Sequence, residues 1–258
     1  MDRCKILSYA IDVARIYGNL EVPVDMRGIF YGIGVGPGDP ELLTVKAIRA
    51  MEKVDVLIAP KTEKKDGSVA LSIAKPYLKD DVETIYQVFP MVKGFAENST
   101  EAWEQNKKEI LDLLESGKNV AFLTLGDPMF YSTYIYIYRL LEHEDIEIQT
   151  IPGIPAFAAI GSLMGYPIVE GDDVLSIVPA TAPPEKVEKA VQAADNVVLM
   201  KVYKNFDKVT DMLVRNDMAK QAVLVSRAGL SDEKIIRDIE EHKGEKLNYL
   251  STILTRKN

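Results

Sequence analysis

Two apolar runs of strand length end in the same three residues. Ile29–Val35 leads into Gly36-Pro37-Gly38-Asp39-Pro40, and Asn119–Leu125 leads into Gly126-Asp127-Pro128. After the first loop a helical pattern starts at once, Glu41 to Glu52, with Leu42, Leu43, Ala47, Ile48 and Met51 on one stripe. A strand running through a glycine loop into a helix is a unit of parallel α/β sheets, whose ligands bind outside the strand carboxyl ends. Glycine allows close approach of the backbone, and Pro37 and Pro40 stiffen the loop. The spacing is not the Gly-x-Gly-x-x-Gly of dinucleotide sites, and the Gly-Lys-Ser/Thr ending of a phosphate loop is missing. Taken alone the first loop reads equally as a cofactor cradle or a tight turn, because Gly-Asp-Pro is a common turn sequence.

The rest of the first half alternates strand and helix. Strand patterns cover Val54–Ala59, Val82–Val88 and Ile146–Ile151; helical patterns cover Ser68–Tyr77, Asn98–Glu115 and Tyr131–Leu141. Gly117 marks the end of the long helix. Such alternation implies a mostly parallel sheet, and the uninterrupted apolar centre of Asn119–Leu125 suits a strand buried on both faces. Tyr131, Tyr134, Tyr136 and Tyr138 read as packing residues. At Pro152-Gly153-Ile154-Pro155 the pattern breaks, and a helix of small residues begins at Ala156. Beyond it, strand patterns at Leu175–Pro179, Val197–Val202, Ala222–Ser226 and Tyr249–Leu254 enclose helices at Pro184–Ala194 and Phe206–Arg215; Lys234–Glu241 fits either type. The expected organisation is therefore an extension with an amphipathic helix (residues 4–17) and linker over 1–26, an α/β domain over 27–151 and a second over 152–258.

Composition narrows the function. With 258 residues and 47% hydrophobic content, the chain can form one large α/β domain or two domains of ordinary size, with a sizeable core. A formal charge of −8 argues against general nucleic-acid binding. One cysteine, Cys4, rules out an internal disulfide and a cysteine-based metal cluster, and His143 and His242 both stand in polar, surface-like contexts. No apolar run approaches the roughly 18 residues of a membrane span. The first twenty residues, interrupted by Asp12 and Arg15, do not read as a signal peptide, so a cytoplasmic location is the expectation.

The order IFYGIGVGPGDPELLTVKAIRAMEKVDVLIAP, TLGDPMFYSTY, TIPGIPAFAA resembles the tetrapyrrole methylase family, the class III methyltransferases that use S-adenosylmethionine (SAM). The likeness spans about residues 28–258. Within the family the branch acting on carbon 20 of precorrin-2 or cobalt-factor II, on the way to vitamin B12, is the most similar. Ser68–Ile73, Phe130–Tyr134, Glu170–Asp173, Val178–Thr181 and Val198–Val202 carry that likeness. The uroporphyrinogen-III methylase branch usually has Gly-Gly-Asp-Pro where this chain has Leu125-Gly126-Asp127-Pro128. The family often has Ser or Thr at Pro155, so no side-chain hydrogen bond is available there.

The resemblance implies two α/β domains, the first with a mostly parallel sheet and the second with a mixed one, and a SAM cleft between them. Pro37, Leu125, Gly126, Asp127, Phe130, Pro155, Ala156, Met200 and Ala222 would then hold SAM, with no protein-bound metal, and a homodimer is the family's usual assembly. Methyl transfer from a sulfonium to an enamine-like carbon asks the protein mainly for proximity and alignment. Asp39 and Tyr131 are candidate helpers for proton removal; Asp39 also suits a cap for the helix from Glu41, and Asp127 also suits a plain turn. A polycarboxylate substrate needs local cations, and Lys61, Lys201, Lys204 and Arg227 follow strand patterns, although each alone also reads as a solvated charge. The alternatives are another class III methyltransferase, acting at a different precorrin position, on diphthine or on ribosomal RNA, and a nucleotide-binding regulator without catalysis.

Overall fold

A computed structural model of the protein describes residues 27–61, 68–89 and 97–257; the helix expected over residues 4–17 lies outside them. By their contacts the described residues form two units, one within Met1–Gly36 and Pro40–Gly153, the other within Pro37–Asp39 and Ile154–Asn258.

The first unit is built on five parallel strands: β1 (Ile29–Gly34), β2 (Val56–Lys61), β3 (Glu83–Val88), β4 (Val120–Thr124) and β5 (Glu147–Ile151). Their order across the sheet is β3-β2-β4-β1-β5. The central strand is β4, and every residue of it is buried. On one face Phe30, Val56, Ile58, Val120 and Phe122 pack with Trp103, Ile110 and Leu114 of α3 (Glu97–Glu115) and with Tyr134, Ile137 and Leu141 of α4 (Tyr134–Leu141). Strand alternation puts Tyr31, Ile33, Leu57 and Leu123, all buried, on the other face. Each such aromatic or aliphatic side chain contributes roughly 1.5–3 kcal/mol by leaving water. Gly32 is small because the Tyr134 ring lies on it: an added Cβ would stand 2.1 Å from Tyr134 Cζ. The Tyr134 hydroxyl meets Thr150 Oγ1 at 2.7 Å. Two short helices complete the unit, α1 (Val45–Met51) and α2 (Val69–Ala74), which bury Ala47, Ala50 and Met51, and Ala70, Ile73 and Ala74.

The second unit has a mixed sheet in the order β6-β7-β10-β8-β9. Its strands are β6 (Leu175–Pro179), β7 (Asn196–Met200), β8 (Val223–Ser226), β9 (Lys234–Ile236) and β10 (Ser251–Arg256). Only β6 and β7 pair in parallel; the other pairs are antiparallel. Val197, Leu199, Leu224 and Ile253 face α6 (Pro184–Ala193) and α7 (Phe206–Arg215) through Val187, Val191, Val209 and Leu213. The alternate residues Val198, Val223, Val225 and Leu254 pack against Ile160 of α5 (Ala156–Met164).

Element types follow the sequence patterns, and the differences fall at ends. The helix expected from Glu41 begins at Val45, after a single 3-10 turn over Pro40–Leu42. Its cap is Thr44, whose Oγ1 accepts from Ala47 N at 3.1 Å, so Asp39 does not cap it. The helix expected from Tyr131 begins at Tyr134, because Tyr131 has φ 51° and Ser132 Oγ accepts from Tyr134 N at 3.0 Å. Strand β7 ends at Met200 rather than Val202, since Lys201 has φ 58°. The ambiguous Lys234–Glu241 opens as β9, with Ile236 opposite Leu224, then turns.

Candidate active site

The strand order of the first sheet marks where a ligand would bind. The chain leaves β1 towards β2 and leaves β4 towards β5, past β1 on the opposite side. Two neighbouring strands whose connections depart in opposite directions leave a crevice outside their carboxyl ends. Those ends carry the two Gly-Asp-Pro loops, and the backbone joins them. Gly126 N donates to Gly36 O at 2.8 Å, Gly36 N to Gly126 O at 3.3 Å, and Val35 N to Thr124 O at 2.9 Å. Gly36 and Gly126 both have φ 75°, a region costly for residues with a Cβ.

The end of β5 joins the same layer. A Cβ at Gly34 would lie 2.5 Å from Gly153 N, and one at Gly153 would lie 2.1 Å from Gly126 O. Three loops thus meet main chain to main chain. The half-buried Asp127 fastens them further: its Oδ1 accepts from Met129 N at 2.8 Å and its Oδ2 from Gly153 N at 3.0 Å. Immediately beyond it stand three apolar side chains in succession. Met129 and Tyr131 are 46% and 43% exposed, and Phe130 meets the Tyr131 ring edge-on at 4.8 Å. An apolar shelf beside converging backbone groups is suited to an adenine-sized ring or another flat ligand. The positive φ of Tyr131 is sterically costly, and such strain gathers at functional positions.

In the second unit Pro155 precedes α5, and its carbonyl accepts from Ala158 N at 3.0 Å; as the sequence indicates, no side-chain cap is made there. Gly38 lies against Ala228 and Gly229, where a Cβ would stand 2.2 Å from Ala228 O. Met200 closes β7, opposite Thr252 of β10. Ala222 does not join it. Thr252 also faces Val225, which sets Ala222 three residues, roughly 10 Å, toward the other end of the sheet. Ala222 also packs on the α6–α7 face, whereas Met200 packs on the α5 face.

Of the four cations, Lys201 and Arg227 are related by the fold. Both directly follow parallel-running strands, β7 and β8, on either side of β10, and both have positive φ (58° and 56°). Arg227 is already paired: its Nε lies 2.5 Å from Asp232 Oδ1. Lys204 Nζ lies 5.4 Å from the centre of the Tyr203 ring, which itself meets Tyr249 edge-on. Lys61 is the last residue of β2, and its side chain falls outside the described atoms. Asp39 sits in the short Pro37–Asp39 stretch, with its N 2.7 Å from where a Gly229 Cβ would be.

Sequence reasoning singled out the Gly34–Pro40 and Gly126–Pro128 loops and the break at Pro152–Pro155, but not their main-chain contact with one another, nor Ala228-Gly229. The signal was a glycine just past each strand end, which pattern alone cannot distinguish from an ordinary turn. Met129 carried no signal. Among the described residues no three His, Cys, Asp or Glu side chains are grouped so as to hold a metal, and no helix is long and apolar enough to cross a membrane.

Comparison with known proteins agrees with this architecture. The chain is 34% identical over 233 residues to a cobalt-precorrin-2 C(20)-methyltransferase of Salmonella typhimurium, covering 90% of this chain and 98% of the relative. A probable enzyme of the same name from Methanocaldococcus jannaschii is also 34% identical, covering 88% and 95%. A precorrin-2 C(20)-methyltransferase from a Sinorhizobium species is 31% identical, covering 88% and 94%. Among solved structures, a cobalt precorrin-4 methyltransferase superposes with a TM-score of 0.68 at 21% identity, covering 88% of this chain and 94% of the other. A uroporphyrin-III C-methyltransferase from Thermus thermophilus, solved with S-adenosylhomocysteine, gives 0.65 at 18% identity, covering 89% and 92%. A family model for tetrapyrrole (corrin/porphyrin) methylases matches residues 30–242, and the chain belongs to that family.

Proposed function

We propose that the protein is a SAM-dependent C-methyltransferase that methylates carbon 20 of precorrin-2 or cobalt-factor II in cobalamin biosynthesis. The observation that carries this reading is the identity, above 30% over almost the full length of both chains, to three relatives named for that activity, one of them as a probable enzyme. In the first unit Leu125, Gly126, the main chain at Asp127 and Phe130 would hold SAM; in the second, Pro37, Pro155, Ala156 and Met200 would do so. Ala222 is left out because it lies at the far end of its sheet from Met200. The fit rests on a surface of bare main chain, where a Cβ at Gly34 or Gly153 would collide, beside the Met129–Tyr131 shelf.

When bound, SAM supplies an electrophilic methyl on a sulfonium. The task of this chain is to hold that methyl in line with the accepting carbon and to keep water away. Tyr131, exposed at the shelf, and Asp39 are the groups proposed to help the methylated carbon lose its proton. Lys201 and Arg227, flanking one end of the second sheet, are proposed to meet substrate carboxylates, with Lys61 and Lys204 as further candidates. A homodimer in the cytoplasm completes the reading.

Purified protein given SAM and precorrin-2, with and without chelated cobalt, should yield S-adenosylhomocysteine (SAH) and a product in which a methyl group replaces one hydrogen, heavier by one CH2. No methylation of either form by protein that binds SAH would overturn the substrate; no SAH binding by calorimetry would overturn the cofactor. Light scattering tests the dimer.

A further inference from the structure

The Asp127 carboxylate has two main-chain partners on different strand ends, Met129 N after β4 and Gly153 N after β5. The first bond closes a turn within its own loop. The second has no local purpose: it spans 26 residues and fixes the chain as it leaves β5. That exit lies in main-chain contact with Gly34 and Gly126, where spare volume is absent. A shift at Gly153 would therefore displace the Gly34 and Gly126 loops, which line the crevice. We infer that Asp127 is a positioning residue: its side chain serves the cofactor site by holding Gly153 against the two Gly-Asp-Pro loops, and not by bonding the cofactor itself. This rests on the proposed SAM site. It differs from the sequence expectation, in which the carboxylate is itself a cofactor contact.

The two roles differ in how loss of the carboxylate depends on the ligand. Asp127→Asn keeps one acceptor oxygen, which can serve Met129 N or Gly153 N but not both; Asp127→Ala keeps neither. Affinities are to be measured by calorimetry, well below each variant's melting temperature. Three ligands suffice: SAH, 5′-methylthioadenosine (which lacks the amino-acid arm) and the 2′,3′-dideoxy analogue of SAH. A positioning role predicts that Asp127→Asn weakens all three by a common factor, roughly tenfold, and that Asp127→Ala weakens them more, again uniformly. Loss confined to ligands with the amino-acid arm, or to those with ribose hydroxyls, would show a direct bond and overturn the inference. A lower melting temperature with unchanged affinities would reduce Asp127 to a turn residue and overturn it too. Absence of binding by the unaltered protein to all three ligands would instead bring down the cofactor reading, and this inference with it.

Discussion

Replacing Gly153 with alanine probes the main-chain contact among the three loops of the first unit. The added Cβ would stand 2.1 Å from Gly126 O and 2.8 Å from Gly34 Cα, against 3.4 Å for ordinary contact. Its nearest neighbours are main-chain atoms of strand ends, which cannot rotate aside as a side chain would. Forcing extra volume into a packed interior costs about 1–3 kcal/mol. Parting the loops also strains the bond from Gly153 N to Asp127, and bonds to charged groups are worth on the order of 1.5–3 kcal/mol. With partial relaxation, about 2–4 kcal/mol is expected. Gly165→Ala is the comparator. Its Cβ would meet nothing within 4 Å, but its φ is 57°, so it reports backbone strain alone, on the order of 1 kcal/mol. In a protein of this size each 1 kcal/mol moves the melting temperature by about 2–4 °C. Gly153→Ala should therefore lower the first calorimetric transition by roughly 5–15 °C, and Gly165→Ala by less than about 5 °C. If Gly153→Ala melted within about 2 °C of the unaltered protein, the three loops would not be in contact as described.

Thr44→Ala removes the α1 cap and should cost about 1 kcal/mol in urea denaturation, with SAH affinity unchanged. For Tyr134 the prediction concerns pH. Burial raises its hydroxyl above 10.0, against the bond to Thr150, so the folded state holds the proton more tightly than the unfolded one. That contribution is complete below about pH 10 and is lost as pH rises towards the folded value. Tyr134→Phe should cost about 1 kcal/mol at pH 7 through the lost bond, and its stability should fall less steeply above about pH 10; an unchanged slope would contradict the assignment. Lys201→Gly should raise stability by about 1 kcal/mol, because φ 58° suits glycine, while raising KM for the tetrapyrrole and sparing SAH affinity. An unchanged KM would remove Lys201 from the substrate site.

The sequence carried the fold further than it carried the site, and particular residues show why. Continuous apolarity over Val120–Thr124 announces a strand buried on both faces, and the structure gives β4 a central place with every residue buried. The mixed order of the second sheet had no such local sign. The short strand Val223–Ser226 pairs with β10, distant in sequence, and in its other neighbour, Lys234–Ile236, the residues Ile235 and Ile236 fit two periods equally. At the ends of elements, single side chains decided against the longer pattern: Thr44 in place of Asp39, and Tyr131 and Lys201 through positive φ. Positive φ in a non-glycine residue leaves no trace in composition or periodicity.

The crevice at β1 and β4 is made largely of main chain, and that explains both what was legible and what was missed. Its shape requires glycine at 34, 36, 126 and 153, two because of φ and two because a Cβ would collide. Such positions appear in a sequence as glycines after strands, so their place was visible and their mutual contact was not. A side-chain catalyst would have left the opposite trace, a spaced set of reactive groups. Methyl transfer from a sulfonium has little need of one, because the leaving group is already activated and alignment carries most of the barrier reduction. Rigid main-chain walls give that alignment at low cost in side-chain entropy. It follows that substitutions which shift the walls, such as Gly153→Ala or Asp127→Asn, should impair cofactor binding and turnover more than removal of any single exposed polar side chain beside the crevice. A polar variant there that abolished turnover while leaving SAH affinity and stability intact would reveal a side-chain catalyst and refute this account of the site.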